Sequence, residues 1–86
     1  MSEATNRELP PATFSSFTAS LAASAMSALG EGANDETNLP LARHTIDLLG
    51  LLREKTEGNL TDEEQKLLDT LLYECRMRFV ERSKGE

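Results

Sequence analysis

The side chains in this sequence that could carry out chemistry are few and poorly matched to one another. His44 and Asp47 are three positions apart and share one helix face, but zinc needs three or four ligands and this pair supplies two. Cys75 is the single cysteine, and the only histidine lies on a different predicted helix, so no base is placed beside the thiol. We therefore expect no catalytic, cofactor-binding or metal-binding residue, and no enzymatic activity.

Composition limits the chain to one small domain with an aliphatic core. The protein has 86 residues, of which 38% are hydrophobic and 28% charged, with no tryptophan and one tyrosine. A domain of this size is only marginally stable, so association with another chain is an obvious supplement. The net charge of -6 opposes general attraction to nucleic acid or to an anionic membrane. A lone cysteine cannot form an intramolecular disulfide, which makes the cytoplasm the default location.

An uncharged stretch between Pro10 and Gly30 raises the question of a membrane segment. Its large apolar residues are few and serines interrupt them, which weakens the transfer free energy that a spanning helix needs. The preceding residues, MSEATNREL, carry two glutamates against one arginine, whereas a signal peptide begins with a basic segment. We expect neither membrane insertion nor export.

Three helices behind a polar tail account for the chain. We predict a flexible N-terminal tail over residues 1–12, a three-helix domain over 13–82 and a short C-terminal tail over 83–86. The fold class is therefore all-α.

Capping residues mark the predicted helix ends. The expected N-caps, in chain order, are Thr13, Asn38 and Thr61. Pro40 lies in the first turn of helix two, and Glu64 completes a capping box with the threonine that begins helix three. Gly30 and Gly58 can take the left-handed conformation that ends helices one and two.

Helical periodicity gives each helix a core face. On helix one the shared face consists of Phe14, Phe17, Leu21, Ala25 and Ala28. On helix three the core stripe consists of Leu68, Leu71, Leu72, Cys75 and Phe79. On helix two the apolar residues cover more than half of the circumference, which predicts a central helix with more than one neighbour.

A second apolar seam on helix three predicts self-association. It lies away from the core stripe and consists of Tyr73, Met77 and Val80. The small-residue face of helix one could complete the same interface, through Ala19, Ala22, Ala23 and Met26. Because a seam of this kind is costly to leave in water, we expect a helical homo-oligomer, with a dimer favoured. The alternative is that these are scattered apolar residues of an ordinary surface.

The C-terminal end of helix three is basic. Its candidate basic patch consists of Arg76, Arg78, Arg82 and Lys84. Residues 76–86 also contain two glutamates, so the local net charge is +2. Such a segment could contact RNA or an acidic protein. Compensation of the helix dipole is the favoured explanation, because side chains that could stack on bases are almost absent.

Three stretches resemble a known family: TFSSF at 13–17, NLPLARHTIDLLGLLREKTEGNLT at 38–61 and EEQKLLDTLLYECRMRFVE at 63–81. They are similar to small bacterial proteins grouped as domain of unknown function 1844. The resemblance implies a bacterial cytosolic protein and supplies no activity, because the family is named for lacking one.

Two functions from different classes remain. The first is a non-enzymatic, self-associating protein-interaction module that offers an acidic outer face to another protein. The alternative is a nucleic-acid or ribosome-associated accessory factor that uses the basic C-terminal segment. Salt-sensitive retention on RNA would separate them.

Overall fold

The computed structural model describes residues 11–31 and 36–84, and this part of the chain contains three α-helices. α1 spans Phe14–Ala28, α2 spans Leu39–Lys55 and α3 spans Asp62–Lys84. Each helix contacts the other two. The predicted all-α, three-helix domain is confirmed. α2 is not uniquely central, however, because α1 and α3 also pack directly against each other.

The helices begin and end near the limits of the described residues, with α1 starting at Phe14 and α3 ending at Lys84. Most of the predicted N-terminal tail, 1–12, falls outside the described residues, and Pro11 and Ala12 have no regular secondary structure. α3 continues to Lys84, past the predicted domain end at residue 82. The last two residues of the predicted C-terminal tail lie outside the described part of the chain.

Two capping boxes begin α1 and α3. At α3, the amide of Glu64 donates to Thr61 Oγ1 at 3.1 Å, and the amide of Thr61 donates to Glu64 Oε1 at 2.9 Å, as predicted. At α1, Thr13 is the N-cap as predicted, and Ser16 reciprocates: its Oγ accepts from the Thr13 amide at 3.0 Å. Each box satisfies two donors, one on the capping residue and one in the first turn, without a tertiary contact.

The end of α1 and the start of α2 lie next to each other. Leu29 and Thr37 form an isolated antiparallel bridge, and the Asn38 amide donates to the Ala28 carbonyl at 2.7 Å. Gly30 has a φ of 88°, the left-handed conformation expected of a residue that ends a helix. The start of α2 is therefore tied to the end of α1, which makes the two helices antiparallel neighbours.

Small residues line the core. Within the described residues, the buried hydrophobic side chains are those of Ala22, Ala25, Ala28, Leu29, Ala42, Ile46, Leu49, Leu68, Leu72 and Cys75. Four of these ten are alanine, and three of the four lie on α1. The core stripe predicted for helix three is confirmed, with Leu71 and Phe79 partly buried at its edges. The helices therefore approach closely and enclose little apolar volume.

The predicted core face of α1 is wrong at Phe17. This side chain is 53% exposed, whereas the neighbouring Thr18 is 1% exposed. The Thr18 hydroxyl donates to the Phe14 carbonyl at 2.9 Å, so its burial leaves no polar group unsatisfied. A threonine at this position lets the α1 backbone approach its neighbours, which a phenyl ring in the same place would prevent.

Arg53 and Asp69 join α2 to α3 at the end opposite the α1–α2 connection. Arg53 Nε donates to Asp69 Oδ1 at 2.6 Å, with both side chains about half-exposed. This hydrogen bond lowers the pKa of the Asp69 carboxyl below its ordinary value of 3.8. Its contribution to stability is therefore complete above that value and is lost as the pH falls through the lowered pKa. Solvent screening keeps the contribution small.

The capping box of α3 gives a stability prediction. Replacing Thr61 with alanine should lower the free energy of unfolding by about 1 kcal/mol, because the Glu64 amide loses its acceptor. Thr70 is exposed in the middle of α3, so Thr70→Ala is a matched control that should be neutral or slightly stabilising. Urea denaturation of the two variants checks this. Equal midpoints for both variants would show that the box does not support α3.

Candidate interaction surfaces

The predicted seam on α3 is exposed in the isolated domain. Tyr73 is 65% exposed, Met77 44% and Val80 47%. Spacings of four and then three residues align them along the helix, on the side away from Leu72 and Cys75. We refer to Tyr73, Met77 and Val80 as the α3 seam. It is an apolar surface with no partner inside the domain.

The α1 residues predicted to complete this interface are divided between the core and the surface. Ala22 is buried and Met26 is partly buried against the core. Cys75 Sγ lies 3.9 Å from the Ala22 carbonyl oxygen, so α1 and α3 make their close approach inside the domain. Ala19 and Ala23 are exposed. Only these two alanines are therefore available to an outside partner.

A second apolar surface lies on α2, the helix for which the sequence predicts a wide apolar arc. Leu41, Leu48 and Leu51 are between 38% and 50% exposed. Their spacings of seven and three residues place them on one side of α2, away from the buried Ala42 and Leu49. We refer to Leu41, Leu48 and Leu51 as the α2 leucine face. The wide apolar arc of helix two was the signal for it, since α1 and α3 together cover only part of that arc.

The four basic residues near the end of α3 do not form a single patch. Arg78 pairs with Glu81 at 3.4 Å, and Arg82 pairs with Glu31 at 3.3 Å. Arg76 faces α2, because two positions of a helix differ by about 200° and turn it away from Arg78. Phosphate binding is favoured by several unpaired cations on one face, so this arrangement weakens the nucleic-acid hypothesis.

Cys75 is fully buried. Burial raises the pKa of its thiol, and the charge of Glu74 raises it further. A thiol in this environment is rarely ionised at neutral pH and is a poor nucleophile. Its position between α3 and Ala22 is that of a small packing residue.

His44 and Asp47 are both exposed on α2. Among residues 11–31 and 36–84, no group of three histidine, cysteine, aspartate or glutamate side chains is placed to hold a metal ion. The pair therefore has no third ligand within this part of the chain. None of the described helices combines the length and the hydropathy needed to cross a membrane.

The burial of Cys75 predicts slow chemical modification. A thiol reagent at neutral pH should label the native protein far more slowly than the urea-unfolded protein, which is the control for intrinsic reactivity. Cys75→Ala should lower the free energy of unfolding by about 1 kcal/mol, as deletion of a small buried group does. Equal labelling rates for native and unfolded protein would contradict this placement of the thiol.

Comparison with known protein families shows the family of this chain. A family model described as a domain of unknown function (DUF1844) matches residues 11–81. Neither the curated proteins nor the solved structures gave a match. The matched region contains α1, α2 and nearly all of α3. The chain therefore belongs to the DUF1844 family.

Proposed function

We propose that this protein is a non-enzymatic helical module that self-associates and serves as a protein-interaction unit. The observation that carries the proposal is the amount of apolar surface left in water. The exposed large hydrophobic residues in the described part of the chain are Phe17, Leu41, Leu48, Leu51, Tyr73, Met77 and Val80. Singly exposed apolar residues are normal, but six of these seven belong to two aligned surfaces.

The shape of the domain supports the same proposal. Its shortest dimension is 16 Å, which is about the thickness of two layers of helix backbone. A body this thin has little interior, so apolar residues on the outer sides of α2 and α3 cannot reach the core. A second copy would supply the missing layer.

A self-association interface must bury enough apolar surface to offset the free energy cost of association. Burying the exposed half of a large apolar side chain contributes roughly 1 kcal/mol. Because a two-fold interface uses each residue twice, the α3 seam contributes about 6 kcal/mol in total. Association itself costs about 4 kcal/mol or more. The seam can therefore hold two copies together only with help from the side chains around it, which favours a dimer of moderate affinity.

A binding role agrees with the chemistry of the described residues. The single thiol is buried, and within residues 11–31 and 36–84 the single histidine belongs to no group of three ligands that could hold a metal ion. The proposal places the protein in the cytoplasm, where a single reduced cysteine is ordinary. The separated positions of Arg76 and Arg78 give the nucleic-acid alternative less support.

The α3 seam gives a prediction about assembly. Analytical ultracentrifugation at micromolar concentration should find the unmodified protein dimeric, and Met77→Lys combined with Val80→Lys should convert it to monomer. Two lysines would be desolvated in the interface, where an unpaired charge is strongly unfavourable. Circular dichroism should show unchanged helix content, because both residues are already exposed in the domain.

The α2 leucine face supplies the matched control. Leu48→Lys combined with Leu51→Lys makes the same change of charge and polarity on the other exposed surface, and it should leave the dimer intact. If only this variant dissociated the dimer, self-association would be confirmed and the interface would lie on α2 instead of α3. A monomeric unmodified protein, or dimers that survive both double substitutions, would overturn the proposal.

A further inference from the structure

The arginines of the domain differ in whether they have a carboxylate partner. Five lie in the described residues, and three of them form ion pairs: Arg53 with Asp69, Arg78 with Glu81 and Arg82 with Glu31. Arg43 on α2 and Arg76 on α3 have no carboxylate oxygen within 4 Å among residues 11–31 and 36–84. The two arginines without an ion pair line the same groove.

The groove runs between α2 and α3. Ile46 and Phe79 form its apolar floor, and Val80 lies at its edge, in a cavity of about 360 Å³ that both arginines line. It continues along α2 past His44 as a second cavity of about 460 Å³. Both cavities are open to solvent, so a partner could enter from the side.

Asp47 also lines both cavities. It is four positions after Arg43, a spacing that suits an ion pair on a helix surface, yet the two side chains are not within ion-pair distance. The groove therefore carries two positive charges against one negative charge. This local excess of positive charge contrasts with the net charge of -6 of the whole chain.

The end of the Arg76 side chain lies close to Gly50 of α2. A Cβ atom at this glycine would lie 3.3 Å from Arg76 Nη2, tighter than ordinary van der Waals contact. Glycine is unfavourable in the interior of a helix, so its presence here needs a structural reason. The missing side chain lets the guanidinium lie close to the α2 backbone beside the groove, although Arg76 as a whole is exposed.

We propose that this groove binds an acidic amphipathic segment of a partner protein. Carboxylates of the segment pair with Arg43 and Arg76, whose planar guanidinium groups suit two parallel hydrogen bonds to a carboxylate. An aliphatic or aromatic side chain of the segment covers Ile46 and Phe79. This is the common arrangement in which an amphipathic helix places its apolar side in a groove and its charges at the rim.

Charge decides between an acidic peptide and a nucleic acid. A phosphate chain carries a continuous row of negative charge, part of which would lie beside Asp47 and be repelled by it. A peptide can place two carboxylates at the arginines and keep neutral residues beside Asp47. The groove borders the proposed self-association surface and shares Val80 with it, whereas Arg43 and Ile46 lie on α2, away from Tyr73 and Met77.

A nuclear magnetic resonance titration of the full-length protein tests the proposal. The probe is a synthetic helix-forming peptide of about 16 residues, with leucines on one side and glutamates beside them. The comparison peptides replace every glutamate with glutamine or with lysine. We expect amide shifts to change in residues 43–50 and 76–80. The glutamate peptide should bind about tenfold more tightly than the glutamine peptide, and the lysine peptide should not bind.

Charge reversal on the protein gives the matched variants. Arg43→Glu and Arg76→Glu should each weaken binding of the glutamate peptide by about tenfold or more. Arg78→Glu makes the same change of charge on another side of α3 and should leave binding within about twofold. All three side chains are exposed, so the fold should survive, and circular dichroism checks this.

Several outcomes would overturn the proposal. They are an absence of shift changes at millimolar peptide, equal affinity for the glutamate and glutamine peptides, and an effect of Arg78→Glu as large as that of Arg76→Glu. A single-stranded oligouridylate that bound at the same residues more tightly than the glutamate peptide would assign the groove to nucleic acid instead.

Discussion

The close approach of α1 to its neighbours is the contact on which the domain depends. Ala22, Ala25 and Ala28 are buried, and Cys75 Sγ lies 3.9 Å from the Ala22 carbonyl, so the α1 backbone itself forms part of the core wall. Dispersion contacts at this distance favour the packed state. Backbone contact of this kind leaves little room for large side chains, which explains why the domain buries many alanines and still exposes leucines.

This narrow core has consequences on the outer surfaces. α2 and α3 each bury one apolar side and expose another. In a protein of 86 residues, so small an interior leaves only a narrow margin of stability. Self-association would add burial that the single copy cannot reach. Among residues 11–31 and 36–84, Arg78 and Arg82 form ion pairs at the surface, whereas Arg43 and Arg76 form none and line the groove that we propose accepts acidic groups.

The features that could be read from the sequence are those with local causes. A threonine N-cap and the residue three positions later act on the same helix end, so the caps at Thr13 and Thr61 were predicted correctly. The α3 stripe was predicted because leucines dominate it. Phe17 was wrongly assigned to the core. The buried side of α1 is the side whose small residues let its backbone come close to α2 and α3, and the largest side chain does not lie on that side. The groove joins residues more than thirty positions apart, so only the packed helices reveal it.

The central claim is that the domain is stabilised by covering its outer apolar surfaces with another copy. Thermal unfolding followed by circular dichroism over a protein concentration range of about 1 to 100 µM tests it most directly, because association adds stability that grows with concentration. The account predicts a midpoint that rises by several degrees across this range. A midpoint that stays constant would mean that the single copy supplies all of its own stability, and would contradict the account.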